Sequence, residues 1–399
     1  GTLRLKLFTQ ERDLPLSDVL PMMENMGLRV IAEHLNRISA DERALFIQDF
    51  NVEAPAGVDL DSVAEVFEEA FVHVWRGDAE NDGFNRLVLG AGLDWRQVSM
   101  LRGYCKYLLQ IETPFSQAYM EETLNRYPLL ARLLVELFEA RFAPKGRGSD
   151  TASLRAQLKL LAKGDAAVEA ALEPVLDARR RARNPRQEKV REALRTLLDG
   201  VSSLDEDRIL RSFMGVIDAT LRTSFYQRDN EGNDKDYAAF KLDCDKVPEL
   251  PKPRPYREIF VYGPHVEGVH LRYGTVARGG LRWSDRREDF RTEVLGLVKA
   301  QAVKNTVIVP VGAKGGFIAK RLPVGGDRDA VQAEGVACYK RFISGLLDVT
   351  DNIVDGEIVP PTDVVRHDDV DTYMVVAADK GTATFSDIAN GISADYNFW

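Results

Sequence analysis

Residues 3–8 read Leu-Arg-Leu-Lys-Leu-Phe, apolar and polar in alternation, which is the period of a half-buried strand. Downstream, Leu20, Met23 and Met26 share one side of a predicted helix that Ser17 caps and Gly27 ends. Apolar runs over 28–32 and 45–50 predict two more strands. This strand–helix–strand–strand order makes residues 1–54 part of a ferredoxin-like or regulatory αβ segment, with a plain αβ docking layer as the alternative. From 55 to 205 the period lengthens to that of helices. Val63, Val66, Phe67, Ala70, Phe71, Val74 and Trp75 recur at three- and four-residue spacing ahead of Gly77, and residues 95–111 and 119–142 continue the pattern. Such an aromatic stripe reads as core, not as a cofactor box. The stretch Ala143-Pro144-Lys145-Gly146-Arg147-Gly148-Ser149-Asp150 reads as a mobile linker. The basic run Arg179-Arg180-Arg181-Ala182-Arg183 reads as a solvated helix end rather than a phosphate site.

Beyond residue 205 the two periods alternate. A helix over 205–227, a turn-rich loop over 230–236 and a proline-framed connector over 248–255 lead to strands at 258–262 and 269–276. An amphipathic helix over 289–304, a buried strand over 305–311, a helix over 339–347 and a strand over 373–378 follow. Strands alternating with helices imply a mixed or parallel sheet covered by helices. The fold class is therefore α/β and α, multi-domain, divided at 1–54, 55–205 and 206–399.

Composition narrows the function. A chain of 399 residues has room for two or three domains with real cores. A net charge of -9 argues against nucleic acid as the main partner. No apolar run is long enough to span a bilayer and no secretory signal opens the chain, so no membrane role is expected. Cys105, Cys244 and Cys338 are far apart and the five histidines form no ligand-spaced pair. No metal is expected, and the cysteine usage suits a reducing cytoplasm. The chain starts without methionine in a strand-like run and stops at Phe398-Trp399 in a helical one, as an internal piece of a longer enzyme would.

Two lysines carry the candidate chemistry. Lys304 and Lys314 flank the apolar run Val307-Ile308-Val309-Pro310-Val311, and Lys314 lies within Gly312-Ala313-Lys314-Gly315-Gly316. Glycines allow a tight bend and close approach of a ligand to the backbone. An amine caged in such a bend, beside a second cation, gives up its proton more readily. The cluster is not a phosphate loop, because no Ser or Thr follows a Gly-Lys pair, and no G-x-G-x-x-G fingerprint occurs in the chain.

In sequence order, Arg278-Gly279-Gly280-Leu281-Arg282, Glu293-Val294, Lys304-Asn305 and the Lys314 cluster resemble the substrate domain of amino-acid dehydrogenases, and among these the glutamate dehydrogenases. Residues 279–285 and Ala377-Ala378-Asp379-Lys380-Gly381-Thr382 resemble the large bacterial NAD-dependent form, and the motif-bearing match covers about 261–399. The resemblance implies an αβα substrate domain lacking its nucleotide-binding half. It implies oxidative deamination of L-glutamate to 2-oxoglutarate and ammonia, with NAD bound mainly by a domain absent from this chain, in a cytoplasmic homo-oligomer. Lys314 matches the catalytic lysine that activates water, and Lys304 the lysine that holds the α-carboxylate. Arg278 stands where smaller relatives place a lysine on the distal carboxylate, beside Gly279 and Gly280 of the substrate site. Asp379 matches the proton-shuttling aspartate, although the prolines usual beside it are missing. Asp363, in Pro360-Pro361-Thr362-Asp363-Val364, keeps the prolines and is the alternative. Arg282 and Asp285 are expected to support the glycine turn, with structural ion pairing at least equal to ligand contact for Arg282, and Asp387 is expected to cap the following helix, with orienting Lys380 as the alternative. On its own the chain is expected to be silent, and NAD reduction by the purified chain would contradict that. Two other functions stay open: an oligomerisation or regulatory module without activity, and an independent lysine Schiff-base enzyme that borohydride trapping would reveal.

Overall fold

The computed structural model describes residues 2–10, 12–40, 43–58, 60–177, 183–304, 312–374 and 383–399. Strands β1 (Thr2–Gln10), β2 (Arg29–Ala40) and β3 (Arg43–Glu53) form an antiparallel sheet in the order β1-β3-β2. The alternation in β1 does what its period requires: Leu3 and Leu5 face Val52 and Phe50 across the pair. Helix Leu16–Asn25 covers that face. Its N-cap is Pro15 rather than Ser17, whose hydroxyl, one residue inside the helix, bonds the adjacent Asp18 carboxylate. Gly27 does end the helix, at φ +87°, with the Leu28 amide donating back to the Met23 carbonyl. β2 and β3 run well past their apolar cores, because cross-strand pairing extends through polar residues such as His34, Asn36 and Asp49.

Helices fill the middle of the chain from Leu60–Arg76 to Arg183–Leu198. Val63, Phe67, Ala70, Phe71 and Val74 are buried, while Trp75 stays 42% exposed. The single helical run expected over 119–142 is two helices, Gln117–Arg126 and Pro128–Phe142. Pro128 has no amide hydrogen to donate and so begins the second helix instead of continuing the first. The 143–150 linker is tied down: Ser149 donates from its amide and hydroxyl to the Glu139 carboxylate at 2.7 and 2.8 Å, and Arg147 to the Tyr226 carbonyl at 2.9 Å. Of the basic run, residues 179–182 lie outside the described residues. Arg183 turns inward to the carbonyls of Arg141 and Ala143 at the end of helix Pro128–Phe142, where a cation offsets the exposed carbonyl dipoles.

The helix starting at Leu204 ends at Ala219, eight residues short of the expected 227, because the chain turns into β4 (Thr220–Thr223). Strands β5 (Ala238–Asp243), β6 (Arg257–Tyr262), β7 (Val266–Arg272), β8 (Arg278–Trp283) and β9 (Gly312–Ala319) complete a six-stranded sheet, ordered β4-β5-β6-β7-β9-β8. Every pair is antiparallel except β8–β9, whose crossover carries helix Phe290–Lys304. The expected strand over 269–276 stops at Arg272, and the expected strand over 305–311 lies outside the described residues. Helix Phe290–Lys304 and the helical region bury one sheet face, including Leu242, Val269, Leu271 and Ile318. Helix Arg328–Asp348, longer than the expected 339–347, buries the other, including Ile259, Phe317 and Leu281. Helix Ala383–Asp395 extends that second core through Phe385, Ala389 and Ile392.

Candidate active site

The glycine cluster around Lys314 is not a bend. Gly312 to Gly316 are extended residues of β9, inside the sheet, and Arg278 to Arg282 are likewise extended in β8 rather than a turn. The reason these positions are glycine is close approach. A Cβ on Gly279 would stand 1.3 Å from the Ala313 carbonyl oxygen. A Cβ on Gly315 would stand 2.3 Å from Leu281 Cδ2, and one on Gly316 would stand 2.6 Å from Val294 Cγ2 of the crossover helix. Side chains are absent so that β8, β9 and the helix can close on one another.

Lys314, half-buried, pairs with Leu271 on β7 and with Gly280 on β8. The parallel register also sets Arg278 beside Gly312. Paired residues share a sheet face, so Lys314 rises from a floor that bears no side chain at Gly280, Gly312 or Gly316. The structure thus brings Arg278, Gly279, Gly280 and Lys314 together through one strand pair. Lys304 is the last residue of the crossover helix; its side chain, and that of Arg278, lie outside the described residues, as does Asp379. Asp363 is elsewhere. It adopts φ +55°, stands 3.6 Å from Arg147, and lines a cavity of about 570 Å³ with Gln227, Lys235, Asp348 and Tyr396, away from Lys314.

Around the lysine, ion pairs fix the crossover. Arg282 is an ion pair and no turn support: its Nε lies 3.0 Å from Glu293, which Ser284 also bonds. Arg291 grips Glu258 with two bonds of 2.7 and 2.9 Å, both side chains being fully buried. Burial opposes the Arg291 charge, and Glu258 more than offsets it, so its pKa is raised. Glu258 lies opposite Leu271, so this pair shares the Lys314 face, two strands away. A glutamate directly ahead of the apolar run Ile259-Phe260-Val261 is the sequence signal of this buried pair. Asp285 is exposed after β8, and Asp387 lies inside helix Ala383–Asp395, not at its cap.

His270, beside Lys314's neighbour Gly315 in register, is 4% exposed. Burial, then the adjacent Arg272 cation, pushes its pKa down to about 3, against a weaker pull from Asp371. The folded state therefore holds the imidazole neutral while the unfolded chain protonates it near 6.5. Its contribution to stability is intact above about 6.5 and is lost as pH falls toward 3. Between pH 7 and 5, His270→Gln is expected to remove on the order of 2 kcal/mol of acid destabilisation. Urea unfolding at the two pH values measures it, and an unchanged pH difference would contradict a buried neutral histidine.

Among the described residues, the turn that opens the β8–β9 crossover lacks the glycines of a dinucleotide-binding fingerprint. Residues 284–289, which lead from β8 into the crossover helix, have no glycine and carry Asp285, Arg286, Arg287, Glu288 and Asp289. Among the described residues no cluster of three His, Cys, Asp or Glu side chains is placed to hold a metal ion, and no helix is long and apolar enough to cross a membrane.

Three family models match the chain in series. They are the glutamate dehydrogenase ACT3 domain over residues 1–64, helical motif 3 over 79–144, and the bacterial NAD-glutamate dehydrogenase catalytic domain over 193–399, more than half of the chain. The chain is 55% identical over 397 residues to an NAD-specific glutamate dehydrogenase of Halomonas elongata, covering 99% of this chain and 22% of that protein. It is 54% identical over 402 residues to one of Pseudomonas aeruginosa (100% and 23%) and 49% identical over 415 residues to one of Mycobacterium tuberculosis (100% and 24%). The chain therefore spans less than a quarter of the length of these relatives.

Proposed function

Because this chain belongs to the bacterial NAD-glutamate dehydrogenase family, we propose that it carries the substrate side of an enzyme that oxidatively deaminates L-glutamate to 2-oxoglutarate and ammonia. NAD, when bound, accepts the hydride; its binding falls to residues outside this chain. Within the chain, Lys304 holds the α-carboxylate and Arg278 the distal one. Arginine grips a carboxylate in a planar, two-pronged manner. Loss of hydride from the α-carbon leaves an iminium. Lys314 takes a proton from the water that adds to it, and Asp379 returns a proton to the departing nitrogen. Asp363, already paired with Arg147 in another cavity, is the weaker choice for that step.

The observation that carries this reading is the β8–β9 register. In support of the reading, that register pairs Arg278 with Gly312 and Gly280 with Lys314. A dicarboxylate laid along that strand pair would bring its α-carbon near the Lys314 amine. Holding the reacting atoms in such geometry supplies much of the rate. Titration calorimetry of the chain with glutamate and 2-oxoglutarate is the test. We expect binding that Lys304→Ala abolishes and Lys314→Ala weakens only several-fold; binding indifferent to both substitutions would overturn the assignment.

A further inference from the structure

Three cations on three strands converge on one irregular segment. Arg222 of β4, Lys241 of β5 and Arg272 of β7 have side chains that are 0, 3 and 6% exposed. Arg222 pairs with Asp351 at 3.0 Å and with Asp368 at 2.6 Å. Lys241 bridges Asp368 and Asp371 at 2.6 and 2.7 Å. Arg272 grips Asp371 with both terminal nitrogens. The same groups hold main chain as well. Arg222 donates to the Asp369 carbonyl at 2.7 Å, Arg272 to the Tyr373 carbonyl at 2.8 Å, and the Asp371 amide to the Asp351 carboxylate at 2.7 Å. Residues 366–373 have no helix or strand of their own; besides the main-chain bonds from the His367 amide to Leu221 and from the Asp351 amide to Asp371, these side-chain bonds fix their path.

The place of the clamp gives it a role. Arg272 ends β7 and pairs with Ala313, the residue before Lys314. Tyr373 is therefore moored at the end of the sheet where the proposed chemistry lies, on the face opposite the lysine side chain. Asp379 follows Tyr373 by six residues, within a chain reach of at most about 20 Å. Burial of three cations with three carboxylates adds little stability over apolar packing, whereas fixing one arrangement among several is the better-attested use of such groups. An apolar latch could slide by a residue; matched charges cannot do so without leaving one unpaired.

We propose that Arg272 and Lys241, acting through Asp371, are positioning residues of the dehydrogenase reaction: they hold segment 366–373 against the Lys314 end of the sheet. This rests on the reading of Lys314 given above. The test uses an active polypeptide of the relatives' full length that carries this chain, with Asp371→Asn, Arg272→Lys and Lys314→Ala compared. For Asp371→Asn we expect kcat to fall at least about tenfold with KM for glutamate changed less than about threefold, and a displaced limb in the pH profile of kcat. Arg272→Lys keeps the charge but drops the two-pronged grip, and it is expected to shift the same limb less; it carries the test if Asp371→Asn does not fold. Folded variants with wild-type kcat and pH profile, beside an inactive Lys314→Ala, would overturn the clamp alone. An active Lys314→Ala would overturn the reading on which it rests.

Discussion

An enzyme carrying Lys314→Ala is expected to lose about 10²- to 10⁴-fold in kcat, the range for removing a positioned proton-transfer group. The loss should be chemical rather than structural. Lys314 is held by ladder bonds to β7 and β8 that alanine keeps, and its side chain is only half-buried. The thermal midpoint should therefore move by no more than about 2–4 °C, the equivalent of ~1 kcal/mol in a large domain. Lys314→Arg is not expected to restore activity, because a guanidinium does not give up its proton in proteins. Steady-state kinetics with glutamate decide the matter. A kcat within about threefold of wild type would remove Lys314 from the reaction and return the glycine cluster to a purely structural role.

Gly279→Ala is the largest structural effect we expect. The added methyl would overlap the Ala313 carbonyl oxygen at 1.3 Å, a backbone atom that cannot turn aside. β8 would have to separate from β9, and that separation would unseat Arg278 and Gly280 from their places beside Gly312 and Lys314. The cost should reach or pass the ~3 kcal/mol upper end of ordinary overpacking. Gly296, exposed in the crossover helix with nothing within 4 Å of its would-be Cβ, is the control. There alanine should stabilise by about 0.5–1 kcal/mol. Urea unfolding of both variants separates the accounts, and a Gly279→Ala loss below about 1 kcal/mol would show that close approach is not why the glycine is there.

Much of the architecture was legible because it follows from short-range rules. Alternation in 3–8 placed β1, the apolar stripe from Val63 to Val74 placed the helix beneath it, and Gly27 marked a helix end. Errors arose where one residue type serves two purposes. The helix starting at Leu204 reads as longer in the sequence because residues 216–227 contain no glycine or proline to mark the turn into the strand Thr220–Thr223. The glycines at 279, 315 and 316 read as bends in the sequence, since glycine permits a turn and a close approach alike and only the neighbouring packing distinguishes them. Ser17 was given a capping role that Pro15 fills one residue outside the helix.

What the sequence determined by itself is the set of motifs, their order, the family they resemble and the residue types available for chemistry. Each of these depends on neighbours a few positions apart along the chain. The tertiary structure decided the parallel β8–β9 register that sets Arg278 and Lys314 on one floor, and the removal of Asp363 to another cavity. It also decided the convergence of Arg222, Lys241 and Arg272 on aspartates about a hundred or more residues away. Those relations depend on which strands become neighbours. A charged residue reveals its partner only when folding removes water from around both, because only then does leaving it unpaired become costly.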